Sequence, residues 1–135
     1  MSFRPASLGG PTANLPGQID YRLARNAKIS EFRKGRLSRN DVCDAHPELI
    51  RAARNIGEAT EIDCPICGEV QLVLVRFVFG PRMPAHGHCL GSATELSKLA
   101  RRSATLACYV IEVCPHCCWN HMTRAFSIGG GGRAV

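Results

Sequence analysis

The chain has 135 residues, of which 45% are apolar and 21% are charged, and its formal net charge is +6. This length and composition favour one compact domain over a disordered polymer. No apolar run approaches the roughly eighteen residues that a membrane-spanning helix needs. The N-terminal residues contain no apolar core of a secretory signal. We therefore expect a cytoplasmic protein whose eight cysteines serve metal binding or catalysis more readily than disulfides.

Glycine and proline mark both ends of the chain. Residues 1–18 contain Gly9, Gly10, Pro11, Pro16 and Gly17 with little periodic apolar content, which predicts a flexible arm. Residues 129–135 read GGGGRAV and are interpreted as a flexible tail for the same reason.

Residues 19–57 are predicted to form a basic helical segment. A helix over residues 20–34 is indicated by apolar positions at helical spacing, with Asp20 as N-cap and Gly35 just past its end. We expect Leu23 and Phe32 to point inward. A second short helix should begin near Pro47 and stop before Gly57. Its buried side would hold Ile50, Ala53 and Ile56, with Arg51 and Arg54 outward.

The positive charge is concentrated in one stretch, residues 22–39, which we call the basic segment. Its net charge is +6, equal to that of the whole chain. Such a segment favours a polyanionic partner, either nucleic-acid phosphates or an acidic protein surface, although a solvated helix face is the simpler alternative. Residues predicted to bind are Arg22, Arg25, Lys28, Arg33, Lys34, Arg36 and Arg39.

Residues 58–128 change in character toward β-structure. Strands are predicted over residues 70–80, 106–113 and 119–128, with an inserted helix near 93–103 opened by a capping box from Ser92 to Glu95. The first of these strands is apolar on both faces, so both faces should be covered, one of them by the N-terminal helices. The predicted fold class is α+β.

Two cysteine pairs carry the strongest chemical signal: Cys64 with Cys67, and Cys114 with Cys117. A Cys-x-x-Cys turn directs two sulfurs to one point, and two such turns supply four thiolates to a tetrahedral structural Zn²⁺ site. Because each pair lies at a strand boundary, we predict a zinc ribbon, with the 46-residue spacer holding the insertion. A redox dithiol is the alternative, but it would need only one pair. Four cysteines close the coordination sphere, so we expect a non-catalytic site.

The remaining cysteines and histidines give weaker signals. Cys118 follows its pair as Gly68 follows the first, which predicts a small, partly buried thiol and not a fifth ligand. Cys43 and Cys108 are interpreted as core thiols. A potential second metal cluster is formed by His86, His88 and Cys89. Cys43 and His46 could be a nucleophile and its base, but no orienting acid is identifiable. His116 and His121 are interpreted as surface or outer-sphere groups.

Trp119 is the single tryptophan of the chain. On a ribbon strand it is predicted either to anchor the helices in the core or to offer an exposed platform for a base or a protein partner.

The string DVCDAHPELIRAARNIGEATEIDCPICGE, followed by VCPHCCWNH, resembles a small uncharacterised actinobacterial zinc-ribbon family, a domain of unknown function. The resemblance covers about residues 19–128 and implies zinc at Cys64, Cys67, Cys114 and Cys117. It implies no activity. His86, His88 and Cys89 are not part of its pattern.

Three functions follow as hypotheses. The first is a non-catalytic zinc-ribbon binding protein that docks on a nucleoprotein machine, RNA polymerase or the ribosome, through the basic segment. The second is a protein-only adaptor that uses Tyr21, Phe32 and Trp119. The third is an enzyme that uses zinc or a cysteine, against which the closed coordination sphere counts. A cysteine redox or zinc-release sensor is a less favoured alternative; no membrane and no small-molecule substrate is predicted.

Overall fold

The computed structural model describes residues 18–85, 87–90, 93–101 and 105–129. The described helices are α1 (Arg22–Arg33), α2 (Arg39–Val42), α3 (Pro47–Ile56) and α4 (Ala93–Ala100). The described strands are β1 (Gln18–Asp20), β2 (Glu58–Asp63), β3 (Gln71–Phe79), β4 (His88–Cys89), β5 (Thr105–Val113) and β6 (Asn120–Gly129). The α+β class is therefore confirmed. None of the described helices is long and apolar enough to cross a membrane.

All strand pairs belong to one antiparallel sheet with the order β1-β6-β5-β3-β2, and β4 pairs with β3 off this path. Strands β2 and β3 flank the first Cys-x-x-Cys turn, and β5 and β6 flank the second. Because β3 pairs with β5 so that Val73 faces Val113, both turns emerge at the same end of the sheet.

The central strand β3 is covered on both faces, as its sequence predicts. Alternate side chains of a strand point to opposite faces. Val75 and Phe77 pack in one core cluster with Leu49 and Ala53 of α3. On the other face Leu72 packs in a cluster with Ile29 of α1, and Val78 packs in another with Leu99 of α4. Each fully buried side chain of this kind contributes about 1.5–3 kcal/mol.

The N-terminal segment differs from its prediction in two ways. Residues Gln18–Asp20 form β1 and pair with β6, so α1 begins at Arg22 and the N-cap residue is Tyr21. The Asp20 carboxylate nevertheless accepts a 2.8 Å hydrogen bond from the backbone N–H of Arg22, which satisfies a free donor at the start of the helix. Between the two expected helices the chain forms α2, with a capping box between Ser38 and Asp41.

The face that α1 presents to the sheet also differs from the prediction. Leu23 is 85% exposed, so its expected inward position was wrong, whereas Ile29 is buried. Phe32 is half-buried. In α3, Ala53 is buried and Arg51 and Arg54 are exposed as predicted, but Ile56 is 41% exposed. The orientation of α1 differs from the predicted one because Arg25 of this helix is paired with Glu112 of β5.

Strands β2 and β4 are absent from the sequence predictions. β2 has the sequence EATEID, which has no alternation of apolar side chains and is mostly exposed, and it is held by pairing with β3. The inserted helix lies at α4, within the expected range. Ser92 of the predicted capping box, residues 1–17 of the predicted arm and residues 130–135 of the predicted tail lie outside the described residues.

Candidate metal centre and the network beside it

The four paired cysteines converge at the end of the sheet. Their sulfur atoms all lie within 4.8 Å of one another. The Sγ atoms of Cys64 and Cys117 are 3.7 Å apart, as are those of Cys67 and Cys114. In a tetrahedron with zinc–sulfur bonds of about 2.3 Å, sulfur atoms are separated by about 3.8 Å. The cluster therefore has the dimensions of a tetrahedral metal site and can hold one metal ion.

The two turns share a backbone geometry. The N–H of Gly68 donates to the carbonyl of Cys64 at 3.1 Å, and the N–H of Cys118 donates to the carbonyl of Cys114 at 3.0 Å. Three backbone N–H groups also donate hydrogen bonds to cysteine sulfurs, each across 3.4 Å. The N–H of Ile66 donates to Cys64, that of Glu69 to Cys67 and that of Cys117 to Cys114. Hydrogen bonds of this kind stabilise thiolates.

Cys118 occupies in the second turn the place of Gly68 in the first. Both residues have left-handed backbones, with φ values of 76° for Cys118 and 65° for Gly68. Cys118 is half-buried and is not one of the four cysteines whose sulfurs converge. Its interpretation as a thiol in a position that favours glycine is thus confirmed.

The electrostatics of the cluster favour a cation. Burial raises the pKa of the Cys114 thiol and that of the Cys117 thiol. Four thiolates this close would repel one another in a partly buried site. A divalent metal ion removes that repulsion and keeps the ligands deprotonated.

Cys43 is half-buried against the apolar cluster that includes Val42 and Trp119, and it also lies beside the four cysteines. Its thiol donates to the Sγ of Cys117 across 3.6 Å, and burial raises the pKa of the Cys43 thiol. The His46 Nδ1 accepts the backbone N–H of Glu48 at 3.1 Å and caps α3. The described contacts of Cys43 and His46 thus join them to Cys117 and Glu48 and not to each other.

The segment around Cys43 is bonded to the second cysteine turn. The Ala45 N–H donates to the carbonyl of Cys118 at 3.0 Å. The side-chain amide of Asn120 donates to the Asp44 carboxylate at 3.0 Å. The two sequence blocks that carry the family resemblance, DVCDA and CPHCCWNH, thus form one packed unit.

A buried carboxylate that the sequence analysis did not identify connects this unit to α1. Glu112 is 4% exposed, and its Oε2 accepts hydrogen bonds from Trp119 Nε1 and from Arg25 Nε, each at 2.7 Å. The His121 ring stacks on Trp119 with centroids 5.9 Å apart, and Lys28 Nζ lies 6.0 Å from the Trp119 ring. The sequence signal was a single glutamate inside the otherwise apolar run LACYVIEV.

Two predicted binding residues are corrected by this network. Trp119 has 0% exposure, so it is the core anchor and the alternative of an exposed platform was wrong. Arg25 has a side chain that is only 18% exposed and is paired with Glu112, so it is not a free surface charge. A buried arginine needs such a partner, since an unpaired buried charge is costly.

The other basic residues separate into three groups. Arg22 is paired with Asp20, and Arg36 with Glu31, at the exposed surface. Lys28 is half-buried beside Trp119. Within the basic segment, all of which the structure describes, the exposed residues with no acidic partner within 4.0 Å are Arg33, Lys34 and Arg39.

A second metal cluster is not found among the described residues, where the four paired cysteines are the one group that can hold an ion. His88 is paired with Glu95 of α4, and His86 lies outside the described residues. Burial raises the pKa of Cys89 and of Cys108 to about 11 in each case. Cys108 is fully buried, as predicted for a core thiol.

Comparison with known proteins agrees with the resemblance. Residues 14–135 match a family of unknown function, DUF5318. The chain belongs to the DUF5318 family. This DUF5318 chain is 40% identical over 111 residues to uncharacterized proteins of Mycobacterium bovis and Mycobacterium tuberculosis, covering 82% of this chain and 81% of each relative. No solved structure matches it.

Proposed function

We propose that the four converging cysteines hold one structural Zn²⁺ and that residues 58–128 are a zinc ribbon with an inserted helix. The support is the donor set, four thiolates at tetrahedral separations, which is typical of structural zinc. Such a site has no open position for water or substrate, which argues against metal catalysis. The metal would instead stabilise the fold by tying the two cysteine turns together at one end of the sheet.

The proposed function is non-catalytic docking on a nucleoprotein machine, RNA polymerase or the ribosome, through the basic segment. The observation that carries it is that three cations of the basic segment, Arg33, Lys34 and Arg39, are exposed and have no acidic partner. Cations that are not neutralised internally remain available to phosphates. The segment itself is fixed to the zinc ribbon by the Arg25–Glu112 pair, so its charges are presented on a rigid body.

The test is affinity purification of the zinc-loaded protein from its native host, with and without nuclease, followed by co-sedimentation with purified ribosomes and capture of RNA polymerase. We expect recovery of one of these assemblies, and loss of that recovery in high salt because the contacts are ionic. Recovery of one nuclease-resistant protein partner in high salt would sink this function. That outcome would favour the adaptor, with the 85%-exposed Leu23 and not the buried Trp119 at its contact surface.

The contact between Cys43 and Cys117 favours a second candidate function, a sensor of oxidants that gives up its metal. Their sulfurs are 3.6 Å apart, and a disulfide brings two sulfurs to about 2.05 Å. One hydrogen peroxide would take two electrons from the pair, form the S–S bond and leave as two waters. The Cys43 thiol supplies one proton and solvent the other, because Cys117 is held as a thiolate. Three ligands would then remain, and the affinity for the metal would fall.

Peroxide titration tests this second candidate. We expect the wild-type protein to release zinc to a chromogenic chelator while peptide mapping shows a Cys43–Cys117 disulfide. Cys43→Ser should slow the release several-fold, whereas Cys108→Ser, which removes a fully buried thiol elsewhere, should not. Equal release rates for the wild type and Cys43→Ser would exclude a sensing role for Cys43.

A further inference from the structure

A groove of about 340 Å³ lies between α1 and the first cysteine turn. One wall is formed by α1 residues spaced along the helix, and the other is formed by Pro65, which sits between Cys64 and Ile66 of the turn. The lining residues from α1 and from Lys34, which directly follows it, are Arg25, Asn26, Ile29, Ser30, Arg33 and Lys34.

The described lining of this groove carries a net positive charge, although Arg25 is paired with Glu112 outside the lining. It contains three basic side chains and no acidic one. Arg33 and Lys34 at its outer end are exposed and have no acidic partner within the described residues. By contrast, Arg22 and Arg36 of the same basic segment are neutralised by Asp20 and Glu31 and do not line the groove. Two of the three exposed, unpaired cations of the segment, Arg33 and Lys34, therefore lie at this groove, whereas Arg39 does not line it.

Arg25 adds a fixed hydrogen-bond donor at the inner end. Its Nε is bonded to Glu112 and its Nη1 donates to Asn26 Oδ1 at 3.0 Å, so the guanidinium plane is held in place. An arginine fork that is already ordered loses little entropy when its remaining donor meets a phosphate oxygen. The Ser30 hydroxyl offers a further donor in the same lining.

We propose that this groove binds the phosphodiester backbone of a single-stranded nucleic acid, an inference that rests on the proposed docking function and names the surface it uses. A volume near 340 Å³ is at the small end of ligand sites and suits about one nucleotide of a strand at a time. A duplex would present its phosphates on a far broader body than a space of this size can enclose. The lining includes no aromatic side chain for base stacking, so the contacts select phosphate and sugar over sequence.

The location of Pro65 makes the groove dependent on the metal. Pro65 follows Cys64 directly, and the proposed metal would hold the first turn in shape through Cys64 and Cys67. Removal of the metal would displace one wall while leaving the cations of α1 present. The affinity for a single strand should therefore fall in the metal-free protein, although its basic side chains are unchanged.

The experiment compares two double variants that remove the same charge from the zinc-loaded full chain. The groove variant combines Arg33→Gln with Lys34→Gln and so removes the free cations of the groove. The control variant combines Arg22→Gln with Arg36→Gln and removes two cations outside the groove. The probe is a short fluorescent oligouridine, with oligothymidine and duplex DNA of equal length as further arms, measured by anisotropy across a salt series. We expect the groove variant to lose affinity about tenfold or more and its salt slope to fall by about 1.4.

The control variant should stay within about twofold of the wild type, and both single strands should bind more tightly than the duplex. Equal losses of affinity in the two variants would refute binding in the groove, but they would still agree with docking through dispersed charges. Tighter binding of the duplex, or no binding of any strand by the wild type at low salt, would also overturn it. Failure of the docking function itself would appear separately, as absence of ribosomes and polymerase from the native purification.

Discussion

The indole Nε1 of Trp119 donates a 2.7 Å hydrogen bond to Oε2 of Glu112, and both residues are buried beside the cysteine cluster. The same oxygen accepts from Arg25 of α1, so one carboxylate connects the hairpin that carries the second cysteine turn to the basic helix. A carboxylate this far from water is stable only while both donors remain. The position of α1 on the sheet thus depends on a polar network and not on apolar packing alone.

Substitution Glu112→Gln should destabilise the fold, because the amide still accepts a hydrogen bond but leaves the Arg25 charge unpaired in a mostly buried site. We expect the free energy of unfolding to fall by about 3 kcal/mol, measured by urea denaturation of the zinc-loaded protein. The matched control is Glu48→Gln, which breaks the exposed pair with Arg51 and should change stability by less than about 0.5 kcal/mol. Similar losses in the two variants would contradict the role given to Glu112.

The metal assignment predicts one zinc per chain in the purified protein. Serine at Cys64, Cys67, Cys114 or Cys117 should release the metal and unfold the cysteine turns, because binding and folding are coupled. Serine at Cys118 should leave the zinc content unchanged, since its sulfur is outside the converging group. Metal analysis of each variant is the measurement, and a stoichiometry of two or metal loss in Cys118→Ser would refute the assignment.

The two cysteine turns allow a direct measurement of backbone strain. Cys118 has φ of 76°, where a side chain is disfavoured, so Cys118→Gly should raise the free energy of unfolding by about 1 kcal/mol. The reciprocal change, Gly68→Ala, should lower it by a similar amount, since the added Cβ meets no atom within 4 Å and only the φ of 65° opposes it. Denaturant midpoints at fixed zinc concentration would test both. Destabilisation by Cys118→Gly would mean that the thiol itself makes a stabilising contact.

Local sequence patterns anticipated much of the fold. The strand β3, its cover on both faces, the helix α4 and the convergence of the cysteine pairs all follow from apolar patterning and from Cys-x-x-Cys spacing. These features depend on neighbours in sequence or on a strong shared ligand geometry. The zinc itself and the docking function remain predictions.

The misplaced features depend on partners far apart in the sequence. Arg25 and Glu112 are separated by 87 positions. Nothing in the sequence near α1 therefore indicates the orientation of the helix that exposes Leu23. Strand β2 is mostly exposed and exists because β3 offers it an edge to pair with. Cys43 packs against the core as predicted, but nothing in its own neighbourhood indicates the contact with the sulfur of Cys117.

Gly57 is predicted to be required for the contact between α3 and the sheet. A Cβ at this position would lie 2.2 Å from a Val73 methyl and 2.6 Å from the Ala53 carbonyl oxygen, although the backbone conformation itself is unstrained. Gly57→Ala should therefore cost about 2–3 kcal/mol through displacement of α3. Gly35→Ala serves as the control, because its cost of about 1 kcal/mol comes from a φ of 80° alone with open space around the Cβ. Thermal unfolding of both would show the difference, and a smaller loss at Gly57 would contradict the close approach.

The last prediction concerns the pH dependence of stability through His121. Burial lowers the pKa of His121 in the folded protein; the carbonyl of Met122 and the carboxylate of Glu112 oppose the shift, and the charges of Lys28 and Arg25 add to it. In the unfolded chain the pKa is about 6.5, so above that pH the ring is neutral in both states and contributes no pH dependence. As the pH falls below about 6.5, the unfolded state takes up a proton that the folded state does not. The free energy of unfolding then decreases, by up to about 1.4 kcal/mol per pH unit, until the folded-state pKa is reached.

The control is His121→Phe, which keeps a ring to stack on Trp119 but cannot titrate. Protonation of the zinc thiolates also lowers stability in acid, and it does so equally in both proteins, so the difference between them isolates the histidine. Urea denaturation from about pH 7 to about pH 5 should show a steeper loss for the wild type than for His121→Phe. Parallel curves would mean that His121 is protonated as easily in the folded protein as in the unfolded chain.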